Sequence, residues 1–174
     1  MKNRQQLAEL FRDKGFTTGV EVGVHRGYYS QTLAKTIPDL TLYAVDPWVM
    51  PERFKDNGET LTASHKAAID RLEPLGVTLM QQTSMDAVRY FAPHSIDFVY
   101  IDGDHSFDGV MGDLIEWGRR VKKRGIIAGH DYTEGTAVIE AVDMYVKHHG
   151  LELIVTEELD DKARSWYVIK KWGY

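Results

Sequence analysis

Two short stretches hold most of the side chains capable of chemistry. Asp102, Asp104 and His105 follow an apolar run, Phe98 to Ile101, in FVYIDGDH. His130 and Asp131 follow a second run, Ile126 to Ala128, in IIAGHDY. Carboxylates that converge need a cation or a shared proton to offset their repulsion. A hard divalent metal is the natural partner for their oxygens. An imidazole beside them serves as a base or a further ligand. The competing reading makes each of these residues a separate cap or turn former. A single aspartate would deserve that reading; five polar groups at two adjacent strand ends fit it less well.

Two more groups suit a nucleoside. Glu21, Gly23 and Gly27 lie in EVGVHRG, a glycine turn between a strand and a helix. Such a turn lets a ligand approach the backbone and the free N–H groups of the helix start. Asp46 ends the next strand, in VDPW, where a carboxylate can accept both hydroxyls of a ribose. Its other reading is a cap or turn former before Pro47. Ser84 has two readings as well, an adenine contact or a helix cap. Three residues separate Gly23 from Gly27, so the dinucleotide fingerprint G-x-G-x-x-G is absent, as is a G-x-x-x-x-G-K-[ST] phosphate loop.

These residues need a scaffold that brings them to one edge. Leu7, Leu10 and Phe11 mark an amphipathic helix from Asn3 to Lys14 that stops at Gly15. Strands follow at 18–24, 41–45, 77–80, 96–101 and 126–128. Between them lie helical patterns from Tyr28 to Lys35, Thr62 to Leu72, Ser84 to Phe91, and Val110 onward to Gly125. Val138 to Val146 marks another helix, closed at Gly150, before strands at 151–155 and 165–169. The segment 49–60 has no usable period and reads as a loop. The alternation predicts an α/β fold: a doubly wound, mostly parallel seven-stranded sheet with helices on both faces. The last strand pair is expected to form a hairpin, because the acidic Glu157–Asp161 link is too short for a helix.

The chain of 174 residues, without a linker or repeat, reads as one domain, 1–174. Its formal charge of −5 disfavours nucleic acid as a partner. The basic run Arg119 to Arg124 reads as the solvated end of a helix, where cations suit the dipole. With no cysteine there is neither a disulfide framework nor a thiolate metal site. No signal peptide or membrane-spanning run is evident, so a cytoplasmic location away from membranes is expected. A homodimer through the amino-terminal helix is a further expectation.

The blocks EVGVHRG (21–27), LYAVDPW (42–48), TSMDA (83–87), DFVYIDGDHSFDGV (97–110) and RGIIAGHDY (124–132) resemble the class I S-adenosylmethionine-dependent methyltransferases. The last two are similar to the small-molecule O-methyltransferases of sugar and antibiotic tailoring, and more distantly to the metal-dependent catechol O-methyltransferases. The resemblance implies methylation of a hydroxyl on a small molecule or sugar, with a divalent metal, Mg2+ or Mn2+. It implies that Glu21, Gly23 and Gly27 hold the methionine part of the cofactor. Asp46 would then take the ribose, Trp48 would lie near the adenosine, and Ser84 and Met85 would flank the adenine. Asp102, His130 and Asp131 would be metal ligands, with Asp102 also beside the cofactor, and His105 or Asp104 would be the base. His130 departs from the family's oxygen ligand, and imidazole suits manganese, iron or zinc better than magnesium. The alternatives are a metal-independent methyltransferase and a nucleoside-binding module without turnover.

Overall fold

The computed structural model describes residues 1–48, 61–157 and 163–173. The expected loop at 49–60 lies outside them, as do residues 158–162 of the acidic link and its end.

Seven strands form one sheet. They are β1 (Thr18–Val22), β2 (Thr41–Val45), β3 (Thr78–Met80), β4 (Ile96–Ile101), β5 (Val121–Gly129), β6 (Leu153–Val155) and β7 (Trp166–Ile169). The helices are α1 (Arg4–Asp13), α2 (Tyr28–Thr36), α3 (Leu61–Leu72), α4 (Ser84–Ala87), α5 (Phe107–Arg120) and α6 (Ala137–His149). The spatial order is β3-β2-β1-β4-β5-β7-β6. The pairs among β1 to β5 are parallel, and β7 runs antiparallel to both of its neighbours. The expected mixed sheet with a closing antiparallel pair is therefore present.

β4 lies at the centre, and all six of its residues are buried. Its alternating side chains feed two cores. Val99 and Ile101 join Val110, Leu114, Trp117 and Val142 on one face. Phe98 and Tyr100 join Leu7, Phe11, Leu33 and Leu72 on the other. Helices thus cover both faces, and each large apolar side chain removed from water contributes about 1.5–3 kcal/mol. Phe11 stacks on Phe98 with centroids 4.2 Å apart, which fixes α1 against the sheet. Its C-terminus closes as expected: Gly15 turns left-handed at φ 69°, and its N–H donates to the Arg12 carbonyl at 2.8 Å.

Among the boundaries that differ from the sequence reading, three have a clear local cause. β1 ends at Val22 rather than Val24, because Gly23 turns to φ 86°. The cap of α4 is Thr83, not Ser84: the Thr83 hydroxyl accepts from the Asp86 N–H at 3.2 Å. Gly125 does not end α5. That helix stops at Arg120, and Val121 already pairs with Ile96 as the first residue of β5. A register shift between Ile96 and Phe98 follows, with Arg124 at φ 67°. The basic run is thus half helix end and half strand. No described helix is long and apolar enough to cross a membrane.

Candidate functional site

The carboxyl ends of β1, β2 and β4 open into a cavity of about 1090 Å³. Glu21, Gly23, Asp46, Ser84, Met85, Asp102, Asp104 and His105 all line it. Gly27 and Trp48, expected beside a cofactor, are not among the lining residues. Gly27 caps α2 at φ 76°, and a side chain there would press on Leu72 at 2.7 Å. Trp48 is 5% exposed, stacks on His65 at 4.3 Å, and donates from Nε1 to the His25 carbonyl at 2.8 Å.

The glycine turn is held by its neighbours. A Cβ on Gly23 would lie 1.9 Å from the Asp102 carbonyl oxygen, so only glycine lets these two loops meet. Asp46 Oδ2 accepts from the N–H groups of Val24 and His25 at 2.9 and 2.8 Å, and Oδ1 accepts from the Trp48 N–H at 2.7 Å. A carboxylate offers about four acceptor positions. Asp46 thus builds the turn first and keeps room for one further donor. Glu21 is buried and accepts from the Ser30 hydroxyl. Burial pushes its carboxyl up to about 8 against the opposing pull of Ser30, with Asp102 and Asp46 adding to the rise.

The acidic cluster forms because β4 and β5 are neighbours, with Ile101 opposite Gly129. Donor atoms of Asp102, His105 and Asp131 lie within 4.8 Å of one another. His105 Nε2 is 3.0 Å from Asp131 Oδ2 and 3.6 Å from Asp102 Oδ1. His130, expected as the third ligand, is not in that group: its Nδ1 stands 3.8 Å from Asp102 and 3.6 Å from Asp131. It is 6% exposed, and its carbonyl accepts from Trp166 Nε1 at 3.1 Å. Trp166 also packs on the preceding strand residue, where a Cβ on Gly129 would meet its ring at 2.7 Å.

The charges in the cluster are coupled. The Asp102 and Asp131 carboxylates push His105 up to about 10. Burial raises Asp102, with His105 and His130 pulling the other way. His105 and His130 hold Asp131 well below the usual carboxylate range. Burial depresses His130, but its two acidic neighbours outweigh this and raise it. His105 is therefore a cation at neutral pH while both acids face it. Without those two acids beside it, the imidazole would return toward its ordinary range. Asp104 lies apart from this cluster, and its Oδ1 accepts from the Ser106 N–H at 2.9 Å in the turn that starts α5.

Asp113 is among the lining residues that the sequence reading did not single out. Asp113 is 3% exposed on α5, and its Oδ1 accepts from the Ser84 hydroxyl. Its signal was a carboxylate on the apolar stripe of Val110, Leu114 and Trp117.

Residues 20–132 match a family model described as a methyltransferase domain. The chain belongs to this methyltransferase-domain family. Its fold is similar to that of an O-methyltransferase from Bacillus cereus in complex with SAH (TM-score 0.69, 12% identity, 96% of this chain and 80% of that one). It is also similar to the O-methyltransferase TomG of Streptomyces achromogenes in complex with SAM (TM-score 0.67, 14% identity, 96% and 79% covered). An rRNA methylase from Streptococcus thermophilus shares the fold over 99% of both chains (TM-score 0.68, 15% identity). A curated relative, the uncharacterized protein y4gI of Sinorhizobium fredii, is 25% identical over 119 residues. That match covers 64% of this chain and 13% of the relative's length. The methyltransferase fold expected from sequence is thus the fold present.

Proposed function

We propose that this methyltransferase uses S-adenosylmethionine to methylate a hydroxyl of a small molecule. The observation that carries this is one continuous cavity joining the glycine turn, Asp46 and the Asp102–His105 turn. Methyl transfer is an in-line displacement at a sulfonium carbon, so the protein aligns two groups and takes a proton. Alignment alone supplies several kcal/mol of the barrier reduction. In this reading Glu21 and Gly23 face the methionine part and Asp46 faces the ribose. Asp102 lies between the donor and the acceptor.

The donor set of Asp102, His105 and Asp131, two carboxylates and an imidazole, fits a divalent cation such as Mn2+ or Mg2+. A bound cation lowers the pKa of the acceptor hydroxyl and fixes its direction. His130, buried behind the cluster, positions both acids through its contacts at 3.8 and 3.6 Å. With His105 among the ligands of a bound cation, Asp104 is left as the proton acceptor; in the metal-independent reading His105 takes that role. A nucleic-acid acceptor fits less well, because a net charge of −5 and an acidic rim oppose phosphate binding.

The test is calorimetric titration with S-adenosylmethionine, then methyl transfer to a panel of phenols and sugars with EDTA or added Mn2+ or Mg2+. Binding, turnover, and loss of turnover in EDTA are expected. Full turnover in EDTA would leave a metal-independent methyltransferase. Binding without product on any acceptor would favour the nucleoside-binding module.

A further inference from the structure

We infer that Asp113 sets the nucleobase preference of the cavity, accepting a hydrogen bond from the exocyclic amine of the adenine. The inference rests on the adenosyl cofactor proposed above.

The carboxylate sits where an apolar side chain would be expected. Val110, Leu114 and Trp117 flank it on α5 and are buried, as Asp113 itself is. A buried carboxylate of this kind needs partners. One oxygen has a partner: the Ser84 hydroxyl donates to Oδ1, and the same hydroxyl accepts from Trp117 Nε1 at 2.8 Å. The Ser84 proton is thereby committed to Asp113, so it is not available to a base edge. The other oxygen, Oδ2, makes no hydrogen bond among the described residues, and Asp113 is part of the cavity wall. Oδ2 lies 3.9 Å from where a Cβ on Gly103 would be, directly after the strand end that carries Asp102.

The neighbouring wall leaves space for a flat ring. Gly112 lines the same cavity, and a Cβ added there would meet no atom within 4 Å. With the ribose at Asp46 and the sulfonium toward Asp102, the base falls to the remaining wall. That wall includes Ser84, Met85, Gly112 and Asp113. Met85 is 38% exposed there and offers a thioether to an aromatic face.

The chemistry discriminates between purines. Burial pushes the Asp113 carboxyl up to about 6, with Asp104 adding to the rise and Ser84 opposing it. Above that pH it is ionised and only accepts hydrogen bonds. Adenine presents an N–H donor at its six-position. A six-oxo purine presents an oxygen, so two acceptors would face each other without water. A purine with only hydrogen at that position would leave Oδ2 without a donor.

The experiment measures the affinity of the full chain at pH 7.5 for three ligands: S-adenosylhomocysteine, its six-oxo (inosyl) analogue and its six-hydrogen analogue. The wild type is expected to bind the adenosyl compound at least about tenfold more tightly than either analogue. Asp113→Asn, checked for folding by circular dichroism, can turn its amide toward the oxo group. Its preference for adenosyl over inosyl should fall to about threefold or less. Equal wild-type binding of the six-hydrogen analogue, or an unchanged ratio in D113N, would overturn the assignment and leave the proposed function standing. Should D113N fail to fold, the wild-type comparison with the six-hydrogen analogue decides alone. Failure of the wild type to bind S-adenosylhomocysteine at all would instead overturn the proposed function, and this inference with it.

Discussion

The two ends of the sheet handle buried charge in opposite ways. At the amino end, Asp97 Oδ2 accepts from the N–H groups of Thr17 and Thr18, both at 2.9 Å. Its Oδ1 meets Lys122 Nζ at 2.7 Å. Nearby, the buried Lys170 donates to the Val121 carbonyl at 2.7 Å. Acid and cation are matched there. Burial works against the Asp97 carboxylate, yet Lys122 and the two N–H groups outweigh it and hold the acid below its usual range. At the carboxyl end, the ion-pair partners of Asp102 and Asp131 among the described residues are imidazoles, whose charge depends on their surroundings. One end ties strands together; the other keeps negative charge available to something that arrives.

The strongest way to break this comparison is to remove an acid at each end. Asp102→Asn should lower methyl transfer by about 10³-fold or more, read as label moved from S-adenosylmethionine to the acceptor. Its melting temperature should hold or rise, because burial already disfavours the Asp102 carboxylate. Asp97→Ala should do the reverse. It leaves Lys122 and two N–H groups without their acceptor, for a loss of about 3 kcal/mol in denaturant unfolding. Cofactor affinity of the folded fraction should be unchanged.

The smallest effect is a slope. Glu21 is raised from 4.5 to about 8, so between those pH values the folded chain holds a proton that the unfolded chain has lost. Stability from this group is therefore full below pH 4.5 and falls as pH rises toward 8. Glu21→Gln keeps an acceptor for Ser30 without that slope. The variant should match wild type near pH 4.5 and exceed it increasingly as the pH rises toward 8, in unfolding curves across the range. Equal slopes would mean that Glu21 is ionised in the folded chain.

Much of this arrangement was legible in the residues. β4 announced itself as a β-branched and aromatic run ending in acids, and its neighbours followed from strand–helix alternation. The convergence of Asp102 with Asp131 needed only that β4 and β5 adjoin, as they do. What was not legible depended on contacts across the sheet. Val121 continues the helical spacing of α5, so its pairing with Ile96 could not be read from period alone. Thr83 and Ser84 are both good caps, and the choice was made by Asp113 and Trp117, which claim Ser84. The cluster at the rim admits His105 in place of His130 for a similar reason. His130 and Asp131 lie beyond the end of β5, where Asp131 turns left-handed at φ 55°, and no strand period says which of the two side chains joins the rim.

The contact between Gly23 and the Asp102 carbonyl has a mechanical consequence. Two loops nearly 80 positions apart in the chain are keyed to each other, backbone against backbone, with no compressible side chain between them. Neither can be displaced alone, so the floor beneath a guest is a rigid plate. Adaptation to guests of different size must then fall on the side chains around its margin.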